Sequence, residues 1–169
     1  MKQQEETSAV IRDHLLGKTD GWREQLPPDG TFMGTLGAGI ALSAISLVGV
    51  LLRRAVVVLL PEATLPERPT LGFYVNAIER YGRDHAITCI QQSRRLVTAP
   101  EIRVLNMLSR KRAALAHQEE AWASDASAIG RLQPSEVRAL LDVVSAAVRL
   151  PIFDELICRE AASSGPNAS

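Results

Sequence analysis

Aromatic residues make up only 4% of this chain, and cysteine occurs twice. With so few rings, a hydrophobic fraction of 46% must build its core from Leu, Val, Ile and Ala, as helical bundles do. Trp22, Tyr74, Tyr81 and Trp122 are too scattered to form a base-stacking platform. Cys89 and Cys158 lie far apart without CxxC spacing. That excludes a zinc signature and a disulfide framework, and it predicts reduced, partly buried thiols in a cytoplasmic protein. Neither sign of charge prevails, with 19 Lys+Arg against 19 Asp+Glu, so net charge names no partner. His14 and His85 have no companion at metal-ligand spacing, so neither a metal nor a cofactor is expected. No segment alternates as a strand between hairpin turns, and no internal repeat is visible. The start, "MKQQEETSAVIRDHLLGKTDGW", is polar and contains acids, unlike a secretory signal or transit peptide.

What the chain does have is one long apolar run. From Gly30 to Leu52 no residue is charged, about the ~20 residues that a membrane-spanning helix needs. Five glycines and several Ser/Thr dilute that run, and the apolar pattern resumes after Arg53–Arg54 as "AVVVLL", stopping only at Pro61. A helix from about Leu36 to Leu60 with two charges inside it fits the central helix of a bundle better than a membrane anchor. Gly37, Gly39, Ala41 and Ser43 then mark a close helix–helix contact. "GTLGAG" lacks the strand–helix context of a phosphate loop.

Around this run the chain divides into helical segments. An amphipathic stretch runs to about Leu16 and Gly17, and "DGWREQLPPDG" is expected to be a loop. Three prolines interrupt "PEATLPERPT". Thr70 can cap a short helix, "LGFYVNAIERY", ended by Gly82. Asp84 can cap a further one, "HAITCIQQSRRLV". "TAPE" predicts a capping box with Thr98 at the N-cap and Glu101 at N3, opening a helix to about Trp122. "ASDASAIGRL" is a loop. "QPSE" opens a helix whose Val137, Leu140, Leu141, Val144 and Val148 share one stripe. "IFDELICREA" closes the set. The expected organisation is an N-terminal segment and loop over 1–29, one helical domain over 30–160, and a disordered tail over 161–169. The expected class is all-α, with four or five main helices.

The basic residues are unevenly spread. Between Arg80 and Arg112 stand Arg80, Arg83, Arg94, Arg95, Arg103, Arg110, Lys111 and Arg112, opposed only by Asp84 and Glu101. Such an excess could attract a phosphate backbone. In "RKRAALAH", Arg110 and Arg112 stand seven and five residues before His117. Ile102, Leu105, Leu108 and Leu115 follow the helical period and make the buried stripe. Arg103, Asn106, Arg110 and His117 form another face, because residues seven apart drift by only ~20°. Arg112 lies nearer the apolar stripe. An imidazole can move a proton to or from a ribose hydroxyl or a leaving oxygen, and a guanidinium can hold the phosphate. One imidazole does not easily serve as both acid and base, so the chemistry prefers a dimer. "RYGRDH" repeats the Arg/His spacing at Arg80 and His85, but Gly82 interrupts it.

"TAPEIRVLNMLSRKRAALAHQEEAW", a loop, then "RLQPSEVRALLDVVSAAVRL" resembles the second half of a HEPN domain, and the order of elements is similar over roughly Leu36–Leu150. The abortive-infection variety, whose motif ends in "AH", is the most similar. The resemblance implies an up-and-down helical bundle that dimerises through its motif helices. It implies a metal-independent endoribonuclease, or an RNA-binding protein, in defence, toxin–antitoxin or RNA-processing systems, with an antitoxin or other protein as a possible partner. It places His117 as general acid/base and Arg112 or Arg110 as the phosphate and transition-state contact. Arg103, Asn106 and Lys111 are candidate RNA contacts. A polar residue commonly follows the motif arginine; Lys111 follows Arg110, but Ala113 follows Arg112. Two alternatives stand beside this one: a non-catalytic helical interaction module, and a small membrane protein anchored by residues 30–52.

Overall fold

The structure, a computed structural model, describes residues 7–33, 35–89, 94–124 and 132–164, with the side chains of 118–124 excepted. Among the described residues the chain is all-helical: α1 (Ser8–Gln25), α2 (Thr35–Leu59), α3 (Leu71–Tyr81), α4 (Ala99–Ser124), α5 (Pro134–Ala147) and α6 (Pro151–Ser163). The expected all-α class is what the fold displays, with six helices where four or five main ones were expected. The loop expected over 123–132 falls largely outside the described residues, and the tail expected over 161–169 does not begin at 161, because 161–163 complete α6; the residues after Ser164 lie outside the described ones.

α2 is the hub, and every other helix packs against it. Its buried residues, among them Ala41, Ala44, Ile45, Val48, Leu51, Leu52, Ala55 and Val56, recur every three or four positions and stay dry. Fully burying one such Leu or Val stabilises the fold by about 1.5–3 kcal/mol relative to exposure. The small residues divide between two faces. Gly37 and Ala41 are buried, and a Cβ on Gly37 would meet the Val137 side chain of α5 at 3.3 Å. Gly39 and Ser43 face outward. Arg54 is half-buried and reaches Glu160 of α6 at 3.5 Å, while Arg53 is exposed. By length and composition α2 could cross a membrane, with mean hydropathy 2.1 over its most apolar window, and 44% of that window is buried by the other helices.

Two helix starts form as their sequences dictate. The Thr70 hydroxyl accepts from Phe73 N–H at 3.3 Å and opens α3. At α5, Gln133 and Glu136 form a reciprocal capping box, with Gln133 N–H donating to Glu136 at 2.7 Å. Gly30 N–H donates to the Gln133 side chain at 3.0 Å and Ser135 N–H to Asp29 at 2.8 Å, which fixes the α1–α2 connection against α5.

Three expectations are corrected. α1 does not stop at Gly17; it continues through Gly21 to Gln25. Each glycine costs about 1 kcal/mol in a helix, but Ile11, Leu15 and Thr19 anchor the helix from its buried face. The "HAITC…RRLV" segment does not form the expected helix in its described residues. Ile87 N–H donates to Arg94 C=O at 2.9 Å and Leu96 N–H to His85 C=O at 2.7 Å, making a small antiparallel bridge between Ala86 and Arg95. β-branched Ile87, Thr88 and Val97 favour this extended form, and Ile87, Leu96 and Val97 are buried in the core. Finally, Cys89 and Cys158 are not reduced thiols; they are joined as a disulfide with Cα atoms 5.9 Å apart.

Candidate nucleic-acid interface

The site is carried by α4, and its start is pinned. Glu101 accepts the Thr98 N–H at 2.8 Å and both Arg94 Nη2 contacts, at 2.6 and 2.7 Å. This is the N3 half of the expected capping box, reinforced by one guanidinium nitrogen donating to both carboxylate oxygens. A carboxylate here also suits the positive end of the helix dipole. Ile102, Leu105, Leu108 and Leu115 are buried against α2, α3 and α5. Gly72 of α3 lets α3 come close: a Cβ there would lie 3.2 Å from Ser109 Oγ.

With that stripe fixed inward, the opposite face must point to solvent. Arg103, Asn106, Met107, Arg110, Lys111 and Ala114 line one shallow groove of about 590 Å³. Four of these six are candidate contacts from the sequence, and the fold brings them together. Met107, 42% exposed, was not anticipated. The signal was present, because 103, 107, 110 and 114 follow the i, i+4, i+7, i+11 pattern of one helical face. Met107 supplies an apolar, adaptable floor between the cations.

Arg112 and His117 do not line this groove. On an α-helix Arg110 and His117 share a face about 10 Å apart along the axis, whereas Arg112 points to another side. Both are exposed. Of the two candidate arginines, Arg110 is the one that shares a helix face with His117. That spacing exceeds what one phosphodiester group would span comfortably within one protomer.

The electrostatics are one-sided. From Ile102 to His117 the helix has no acidic residue and four Arg or Lys. Several cations elsewhere are paired, Arg12 with Asp154, Arg23 with Asp142 and Asp20, Arg83 with Glu79, and Arg159 with Glu155, whereas others such as Lys18 and Arg53 stand apart as the α4 cations do. Among the described residues, Arg103, Arg110, Lys111 and Arg112 enter no ion pair. Four unneutralised cations on less than three turns raise the local potential toward anions. No family model, curated protein or solved structure matches the chain.

Proposed function

We propose that the protein is a HEPN-like RNA-binding protein whose α4 face engages the phosphate backbone, and that a second copy completes a metal-independent endoribonuclease site around His117. The observation that carries this reading is the groove of Arg103, Asn106, Arg110 and Lys111, four polar groups with three uncompensated positive charges on one helical face. Guanidinium groups suit phosphate by their fork of donors, and Asn106 can donate to or accept from a base edge or ribose. Ala113 and Ala114 are exposed and keep the helix surface low, so that a second α4 can approach closely. In such a pair each His117 can be brought toward the cations of the other copy, and two imidazoles supply the base and the acid that one cannot.

The reaction follows from those groups. One imidazole accepts the proton of a ribose 2′-hydroxyl as that oxygen attacks the adjacent phosphorus. Arg110 holds the non-bridging oxygens as charge accumulates on them. The second imidazole, protonated, donates to the departing 5′-oxygen.

Purified protein incubated with total RNA in EDTA tests this, beside the His117→Ala variant. The reading expects fragments from the wild type and none from the variant, with both chains equally folded. Equal cleavage by both would remove the catalytic role. A second reading, a non-catalytic interaction module, is favoured by exposed Leu36, Val50, Val57 and Val58 along α2; RNA binding without products, or no effect on RNA, would support it.

A further inference from the structure

The disulfide adds a covalent link between the small bridge and α6, two regions that also share the hydrophobic core. Cys89 lies two residues beyond the first arm of the small bridge formed by His85–Ile87 and Arg94–Leu96. Cys158 lies in the middle of α6. Their separation of 69 residues means the covalent loop encloses all of α4 and α5. Both cysteines are half-buried, within reach of a small reductant, unlike the residues of the core.

Beside the bond lies a second, non-covalent clasp. Glu155, one turn before Cys158 on α6, is 1% exposed, a buried carboxylate. It accepts from Cys89 N–H at 2.8 and 3.1 Å, from Thr88 N–H at 3.2 Å and from the Thr88 hydroxyl at 3.0 Å. Arg159 donates to Glu155 at 3.0 Å and to Thr88 Oγ1 at 2.6 Å, closing the cluster. These contacts hold Thr88–Cys89 against α6 whether or not the sulfurs are bonded. Two thiols kept adjacent in this way re-form their bond readily, because proximity replaces a chance encounter. The return arm of the same bridge carries Arg94, which grips Glu101 at the start of α4.

We propose that Cys89–Cys158 is a reversible thiol–disulfide site, opened by a dithiol reductant, whose state sets how firmly the start of α4 is anchored. A reductant thiolate attacks one sulfur, forming a mixed disulfide and releasing the other cysteine as a thiolate, which takes up a proton. The reductant's second thiol, losing its proton, then displaces the remaining cysteine. The protein gains two electrons and two protons, and the reductant leaves as a disulfide. The closed form keeps the bridge and the first turn of α4 ordered; the open form leaves them to the Glu155 clasp, the Arg94–Glu101 contact and the core packing of Ile87, Leu96 and Val97. As regulation of the candidate interface this rests on the RNA reading, while the thiol chemistry stands apart from it.

The test treats the native chain with dithiothreitol without denaturant, labels thiols with a maleimide, and follows helicity by circular dichroism. Both cysteines are expected to become reactive while helicity is retained. Amide exchange at Ile87, Leu96 and Ile102 should speed up at least several-fold while α2 stays protected. Oxidised glutathione should then close the bond again. Thiols that react only after denaturant, or a chain that unfolds on reduction, would overturn the proposal. So would failure of the Cys89→Ser/Cys158→Ser double variant to fold. Glu155→Gln sharpens it: reclosure should slow several-fold in a chain that remains helical, and an unchanged reclosure rate would contradict the clasp. RNA affinity measured in both redox states is expected to be several-fold weaker in the open form. If neither state binds RNA, the functional reading fails and the thiol result is still decided by the labelling.

Discussion

α2 and α4 are nearly the same length, 25 and 26 residues, yet they do opposite work. α2 is contacted by all five other helices and gives its side chains to the core; α4 packs against only α2, α3 and α5. The charged residues mark the difference. α2 carries two arginines, one of them neutralised by Glu160, whereas α4 carries four unpaired cations between Ile102 and His117. The α2 face turned to the other helices is dry, so substitutions there read out as stability, while its exposed Leu36, Val50, Val57 and Val58 lie outside that core. A helix with one face buried and the other charged can lose that second face without unfolding, and its substitutions read out as binding.

Substitutions should separate the two helices cleanly. Leu51→Ala in α2 removes a side chain with no solvent exposure and is expected to cost about 2–5 kcal/mol, read as a fall in the denaturant midpoint. A cost below 1 kcal/mol would show that α2 is not the hub. Thr70→Ala, which strips the α3 cap while leaving the core intact, should cost about 1 kcal/mol by the same measurement.

A gentler effect is expected from pH. Burial pushes the Glu155 carboxyl up, but donation from Cys89, Arg159 and Thr88 outweighs it and holds the group below the ordinary glutamate value. Because the folded pKa is the depressed one, the stabilisation is complete above the unfolded value near ~4.3 and is lost as pH falls through the folded value. Stability of Glu155→Gln followed from neutral to acid pH should therefore lack this component. An identical acid slope in wild type and variant would assign it to other groups. The smallest effect belongs to α4: Arg110→Ala should move stability by no more than about 0.5 kcal/mol. A large loss would mean that the groove is structural.

How much of this could be read from the sequence depended on whether the signal was local. The α3 boundaries follow from Thr70 and Gly82, and the α2 span follows from a periodic apolar run bounded by Pro61. The face shared by Arg103, Asn106 and Arg110 follows from helical spacing, although Met107 between them was overlooked. Long-range facts were not legible. Nothing near Cys89 announces a partner 69 residues away. The extended form of His85–Ile87 and Arg94–Leu96 is decided by burial of Ile87, Leu96 and Val97 against the helices, which overrides a plausible Asp84 cap. One clue to the clasp was present: Glu155, Cys158 and Arg159 lie three and four residues apart, on one face of α6. The continuation of α1 through Gly17 and Gly21 was hidden for a related reason, since tertiary packing at Leu15 and Thr19 outweighs two poor helix formers.

The α4 groove is the proposed place where RNA binds, and binding there is what separates α4 from α2. The most direct measurement is the affinity of a single-stranded RNA as a function of salt, for wild type and for a variant with Arg103, Arg110 and Lys111 all changed to Ser. If the groove holds phosphates, affinity falls sharply in the variant and the slope of log affinity against log salt becomes shallower by about 2, at ~0.7 per lost single-strand contact. Wild type and variant with the same affinity and the same slope would contradict it.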